Sequence, residues 1–137
     1  MTMLLDLIED VVTTPAIAAG AGTNRDEELD ISATNVATIE GLNRARIWEI
    51  ELSSSLTDFD FELYEDDART AANRKVRITG IVDSHMVYQP SAPLQYRDRD
   101  KSSSSTLAAK WHIRVTNQSG VSAAVTVRVR YLVSSSR

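Results

Sequence analysis

Val125-Thr126-Val127-Arg128-Val129-Arg130-Tyr131-Leu132-Val133 puts an apolar residue at every second position, with threonine and arginine between them as far as Tyr131. Successive side chains of a strand point to opposite faces, so the stretch has one apolar and one polar face. The same period of two sets Trp111, Ile113 and Val115 against Lys110, His112, Arg114 and Thr116. It returns with Trp48, Ile50 and Leu52 opposing Glu49 and Glu51, and with Phe59, Phe61 and Leu63 opposing Asp58, Asp60 and Glu62. A fifth run spans Val76 to Val82, and shorter ones lie near 29–39 and 86–96. Seven or eight strands are predicted, each with one face buried.

Ser53-Ser54-Ser55, Glu65-Asp66-Asp67, Pro90 to Pro93, Ser102 to Ser105 and Asn117 to Gly120 separate these runs. Turn formers at such short intervals, with no helix-length segment between strands, predict a mainly β, antiparallel, jelly-roll-like sandwich and exclude a parallel α/β sheet. The acidic outward faces (Glu49 and Glu51; Asp58, Asp60 and Glu62) and the basic ones (Lys110, His112 and Arg114; Arg128 and Arg130) could form cross-strand ion pairs if neighbouring. Each pair would contribute about 0.2 to 1 kcal/mol, so its main use would be in fixing register or partner choice.

The first 28 residues read differently. Leu4, Leu7 or Ile8, and Val11 fall at helical spacing among Asp6, Glu9 and Asp10, predicting a short amphipathic helix over 3–12 that Thr13-Thr14-Pro15 ends. So short a helix needs a partner surface. Residues 15–28 are small, glycine-bearing and then acidic, and read as a linker or extended arm. Residues 1–28 are thus expected to be a helix and arm, and 29–137 the sandwich domain.

With 137 residues, 42% hydrophobic and 25% charged, the chain can bury one core without staples. It has no cysteine, which excludes disulfides, cysteine-zinc sites and thiol catalysis. No apolar run is long enough to span a membrane as a helix, and the N-terminus lacks the basic region of a signal peptide. The net charge of −4 conceals an asymmetry: residues 1–43 carry eight acids and one base, whereas 44–137 carry fourteen bases and eleven acids.

No constellation in the sequence selects a catalytic or metal site. His85 and His112 are 27 positions apart, and each reads as a structural or surface residue. Asp58 with Asp60, Glu65 to Asp67, and Asp98 with Asp100 invite a calcium reading, but none follows a fixed liganding loop. A serine-nucleophile elbow is missing, and Gly20-Ala21-Gly22 lacks both the third glycine and the preceding strand of a phosphate loop. Asn117-Gln118-Ser119 matches a glycosylation sequon formally. Trp48 and Trp111 could stack on a sugar, although their apolar-face positions predict core packing. Arg44, Arg46, Arg128 and Arg130 lie on strands with aromatics nearby, but the acidic strands offset them, so nucleic-acid binding is not expected.

Arg46-Ile-Trp-Glu-Ile-Glu51, Asp58-Phe-Asp-Phe-Glu-Leu-Tyr64, Trp111-His-Ile-Arg-Val-Thr-Asn117 and Val125-Thr-Val-Arg-Val-Arg-Tyr131, in that order, resemble the small jelly-roll-like β-sandwich domains of tailed-bacteriophage virion proteins. Those are capsid decoration, tail and fibre-attachment components. The resemblance implies a non-enzymatic assembly role in the virion without cofactors. It also implies capsid or tail subunits as partners, self-association, and an N-terminal arm that docks on neighbours. Leu4, Leu5, Leu7, Ile8, Val11, Arg128 and Arg130 are the candidate interface residues, and no catalytic residue is implied. The alternative reading is a carbohydrate-binding sandwich, for which calcium could assist binding.

Overall fold

The computed structural model describes residues 3–29, 45–95 and 111–136. The expected strand within 30–39, the Asp98 and Asp100 pair, the Ser102 to Ser105 turn, Arg44 and Lys110 lie outside the described residues. Nine strands follow in chain order: β1 (Met3–Thr13), β2 (Thr23–Leu29), β3 (Ala45–Ser54), β4 (Phe59–Tyr64), β5 (Arg74–Ile81), β6 (His85–Tyr88), β7 (Leu94–Gln95), β8 (Trp111–Asn117) and β9 (Val125–Ser136). The only described helical element is a 3-10 turn at Ala71–Asn73.

All pairings are antiparallel. One sheet runs β1-β9-β3-β6, with the short β7 also on β3, and the other runs β2-β8-β4-β5. Strands distant in sequence therefore alternate within each sheet, the interleaving of a jelly roll. The core lies between the sheets. Ile47, Ile50, Leu52, Val125, Val127, Val129 and Tyr131 from one meet Phe59, Phe61, Leu63, Trp111, Ile113 and Val115 from the other, and all are fully buried. The period-two reading of β4, β8 and β9 thus names their inward residues correctly.

The N-terminal helix expected over 3–12 is a strand instead. β1 pairs with β9 from Met3 opposite Ser136 to Thr13 opposite Thr126, and directly opposed residues share a face. Ile8 and Val12, opposite Tyr131 and Val127, pack against the core, while Glu9 and Val11 turn outward. Asp10, on the inward row opposite Val129, interrupts the apolar alternation, which is why Ile8-Glu9-Asp10-Val11-Val12 mimics a helical stripe. The intrinsic helix preference of so short a segment is small against a full ladder of strand hydrogen bonds.

The stretch read as an arm is also structural. Ile17 is buried and bridges Ala123, and residues 23–29 form β2, so the boundary expected at 28/29 falls inside a strand. Between β1 and β2, Gly20 and Gly22 have φ of 130° and 86°, values that L side chains rarely adopt. Their N–H groups donate to the carbonyls of Ser119 and Asn117 at 3.0 Å each, so the turn is tied to the start of the β8–β9 loop.

A second departure is in β3. The register passes from Ile47 opposite Tyr131 to Glu49 opposite Arg130, leaving Trp48 as the extra residue of a bulge. Ile47 is therefore buried in the core, and Trp48, expected there, is only half-buried.

Candidate assembly interface

The outer face of β1, β9 and β3 carries a continuous row of ion pairs. Arg128 and Arg130 project from β9 between β1 and β3. Arg128 donates to Glu9 Oε1 (3.1 Å) and lies 3.8 Å from Glu51. Arg130 donates through Nε to Glu9 Oε2 (3.1 Å) and through Nη1 to Glu49, with Glu51 3.4 Å away. His85, mostly exposed on β6, extends the row with Nε2 3.5 Å from Glu51. The acidic β3 and the basic β9 distinguished in the sequence are thus neighbours, and Glu9 of β1, expected there on a helix, completes the order acid, base, acid.

These charges retune one another. Partial desolvation works to raise the Glu51 pKa, but the His85 contact and the Arg130 charge outweigh it and hold the carboxyl below its ordinary value. Desolvation likewise opposes the charge of Arg130, and Glu49, Glu51 and Glu9 more than offset it, leaving its pKa raised. Beside the row, Ile8, Glu9, Trp48 and Arg130 line a shallow cavity of about 200 Å³. The bulge at Trp48 brings the indole there, with its Nε1 buried and lacking a hydrogen-bond partner.

The predicted interface residues divide. Arg128 and Arg130 share the charged row with Glu9, and Val11 is 44% exposed on the same face. Ile8 packs against the core and reaches the cavity wall. The side chains of Leu4, Leu5 and Leu7, all on β1, lie outside the described set.

The acidic groups considered for calcium have structural partners where they are described. Asp60 accepts from the Gly80 N–H (2.9 Å) and Gln118 Nε2 (3.1 Å). Asp66 accepts from the Thr70 hydroxyl (2.7 Å) and N–H (3.1 Å), and Glu65 meets Lys75 at 3.3 Å. The sequon asparagine is fully buried. Asn117 Nδ2 donates to the carbonyls of Ile17, Ala18 and Val121, and its Oδ1 accepts from the Ser119 N–H and hydroxyl. Trp111 is core, with no face for a sugar.

Arg69 was invisible to sequence reading. Its guanidinium is nearly buried and donates to three carbonyls: Ile113 on β8 (3.1 Å), Glu27 on β2 (2.9 Å) and Asp67 in its own loop (2.9 Å). One side chain thereby clips the β4–β5 loop across two strands of its own sheet. Its φ of 54° was no more predictable, since non-glycine residues rarely adopt it.

No protein-family model matches the chain, and no curated protein does. Among solved structures, the chain is similar to that of tomato aspermy virus, at 9% identity and TM-score 0.48, covering 91% of this chain and 76% of that one. The coat protein of tobacco streak virus gives 6% identity and TM-score 0.40 over 96% and 88%. The capsid of Helicobacter pylori bacteriophage KHP30 gives 12% and 0.40 over 95% and 100%. Identities this low transfer no residue's role to this chain.

Proposed function

We propose that this chain is a non-enzymatic structural component of a virus particle, of the capsid-decoration or tail kind, which assembles with its own copies and with other virion subunits. The observation that carries this reading is the strand order, β1-β9-β3-β6 beside β2-β8-β4-β5. Double-sheet jelly rolls of this kind serve as viral capsid domains and as lectins. A fold by itself does not assign a function, so the surface must choose between the two. A row of acid, base and acid on a sheet face is self-complementary, which suits an interface between identical subunits. The resemblance of residues 44–133 to phage virion domains supports the same choice.

The N-terminal segment enters this proposal as β1, not as a free arm, with Glu9 and Val11 contributing to the contact beside Arg128 and Arg130. Light scattering and negative-stain microscopy of the purified chain test it. Multimers that loosen as salt rises, and that Arg128→Glu disrupts, are expected. A chain that stays monomeric at every concentration and salt level would overturn self-assembly, and saturable glycan binding by that monomer would favour the lectin-like alternative.

A further inference from the structure

On the other sheet, away from the charged row, three side chains from separate parts of the chain converge. His112 is on β8, opposite Glu28 of β2 on one side and Tyr64 of β4 on the other. Asp67 comes from the β4–β5 loop that Arg69 clips to β2 and β8. His112 Nδ1 lies 3.6 Å from Asp67 Oδ1 and 3.9 Å from Glu28 Oε1, and one ligand atom from each residue lies within 4.8 Å of the others.

We infer that His112, Glu28 and Asp67 form a binding site for one divalent transition-metal ion of the zinc class. The distances suit the task. Ligands held about 2.0 to 2.2 Å from one ion are separated by roughly 2.8 to 3.6 Å at octahedral to tetrahedral angles. The imidazole is 5% exposed and fixed in the strand, whereas the two carboxylates are 41% and 74% exposed and can rotate to close the remaining gaps. The donor set selects the metal: one nitrogen with two carboxylates suits zinc, cobalt or manganese, whereas calcium takes six to eight oxygens.

The loop bearing Asp67 is held independently of any ion, because Arg69 donates to the carbonyls of Asp67, Glu27 and Ile113, and Thr70 donates to Asp66. The Arg69 guanidinium also lies 3.8 Å from Asp67 Oδ1 and 3.7 Å from Asp26, and Arg114 takes up the Asp26 carboxylate at 2.7 Å. Asp26 is thereby committed to arginines. A bound ion would share Asp67 with Arg69. Three protein ligands leave open positions for water.

The full chain, stripped with EDTA, is titrated with Zn²⁺, Co²⁺ and Ca²⁺ by calorimetry, with thermal melting and the visible absorption of bound Co²⁺ as further readouts. One equivalent of Zn²⁺ should bind and raise the melting temperature, Co²⁺ should develop ligand-field bands, and Ca²⁺ should bind at least tenfold more weakly. Asp67→Ala, at an exposed side chain whose backbone clip is retained, should weaken Zn²⁺ at least tenfold, and Glu28→Gln should do likewise. Asp83→Ala, away from the cluster, should change nothing. No saturable Zn²⁺ binding by the wild-type chain, or binding that Asp67→Ala and Glu28→Gln leave intact, would overturn the assignment. Neither result depends on whether the chain self-assembles.

Discussion

Asn117 spends all its hydrogen-bonding capacity on the β1–β2 turn and the β8–β9 loop, and none of its surface reaches solvent. Asn117→Ala leaves buried carbonyls and a buried amide without partners, so it should cost roughly 3 kcal/mol, read as a lower urea midpoint with an unchanged slope. Mass spectrometry of the chain from a glycosylating host should find Asn117 unmodified. Trp111 and Trp48 should separate clearly: Trp111→Ala, in the core, should cost about 3 to 5 kcal/mol, and Trp48→Ala, at the bulge, markedly less. The sequence makes these two tryptophans look equivalent because both stand in alternating runs. The one-residue insertion that exposes Trp48 depends on how β3 pairs with β9, which β3 alone does not encode. Arg69 was missed for a similar reason, since its partners are carbonyls, which carry no sequence signature.

At the scale of elements, the strands that alternate cleanly were legible, and the first two were not. β4, β8 and β9 bury the residues their period assigns. β1 hides behind Asp10, which stands on its inward row, and β2, Thr23-Asn-Arg-Asp-Glu-Glu-Leu29, has a single fully buried side chain. Asn24, Asp26 and Glu28 form a polar row whose partners, Thr116, Arg114 and His112, appear only once β2 is laid on β8. Because β1 and β2 complete the two sheets, deletion of residues 1–28 should not give a folded monomer. The truncated chain should lose its cooperative thermal transition by circular dichroism. The charged row itself was foreseeable as complementary strands, whereas the triad around His112 was not, since its members lie 39 and 45 positions apart along the chain.

For the whole molecule, acid should be the damaging extreme. Asp26 is held below the ordinary carboxylate range chiefly by the Arg114 hydrogen bond, against desolvation; Asp66 is lowered because its bonds to Thr70 and Asn73 outweigh desolvation; and Glu51 is lowered as described. Carboxyls depressed in the folded state contribute stability above their unfolded pKa, near 4, and lose it as pH falls through their folded values. The melting temperature should therefore stay level above about pH 5 and fall below about pH 4, with a shallower fall in Asp26→Asn. The jelly-roll order also bears on how the molecule comes into being. β8 and β9, the last strands in chain order, occupy interior positions, β8 between β2 and β4 and β9 between β1 and β3. A ribosome therefore delivers one interior strand of each sheet after both of that sheet's edges. β1 must wait for a partner more than a hundred residues downstream, as Thr13 does for Thr126. Neither sheet is finished until β8 and β9 are made, and closure of the sandwich waits for them, slow by its topology.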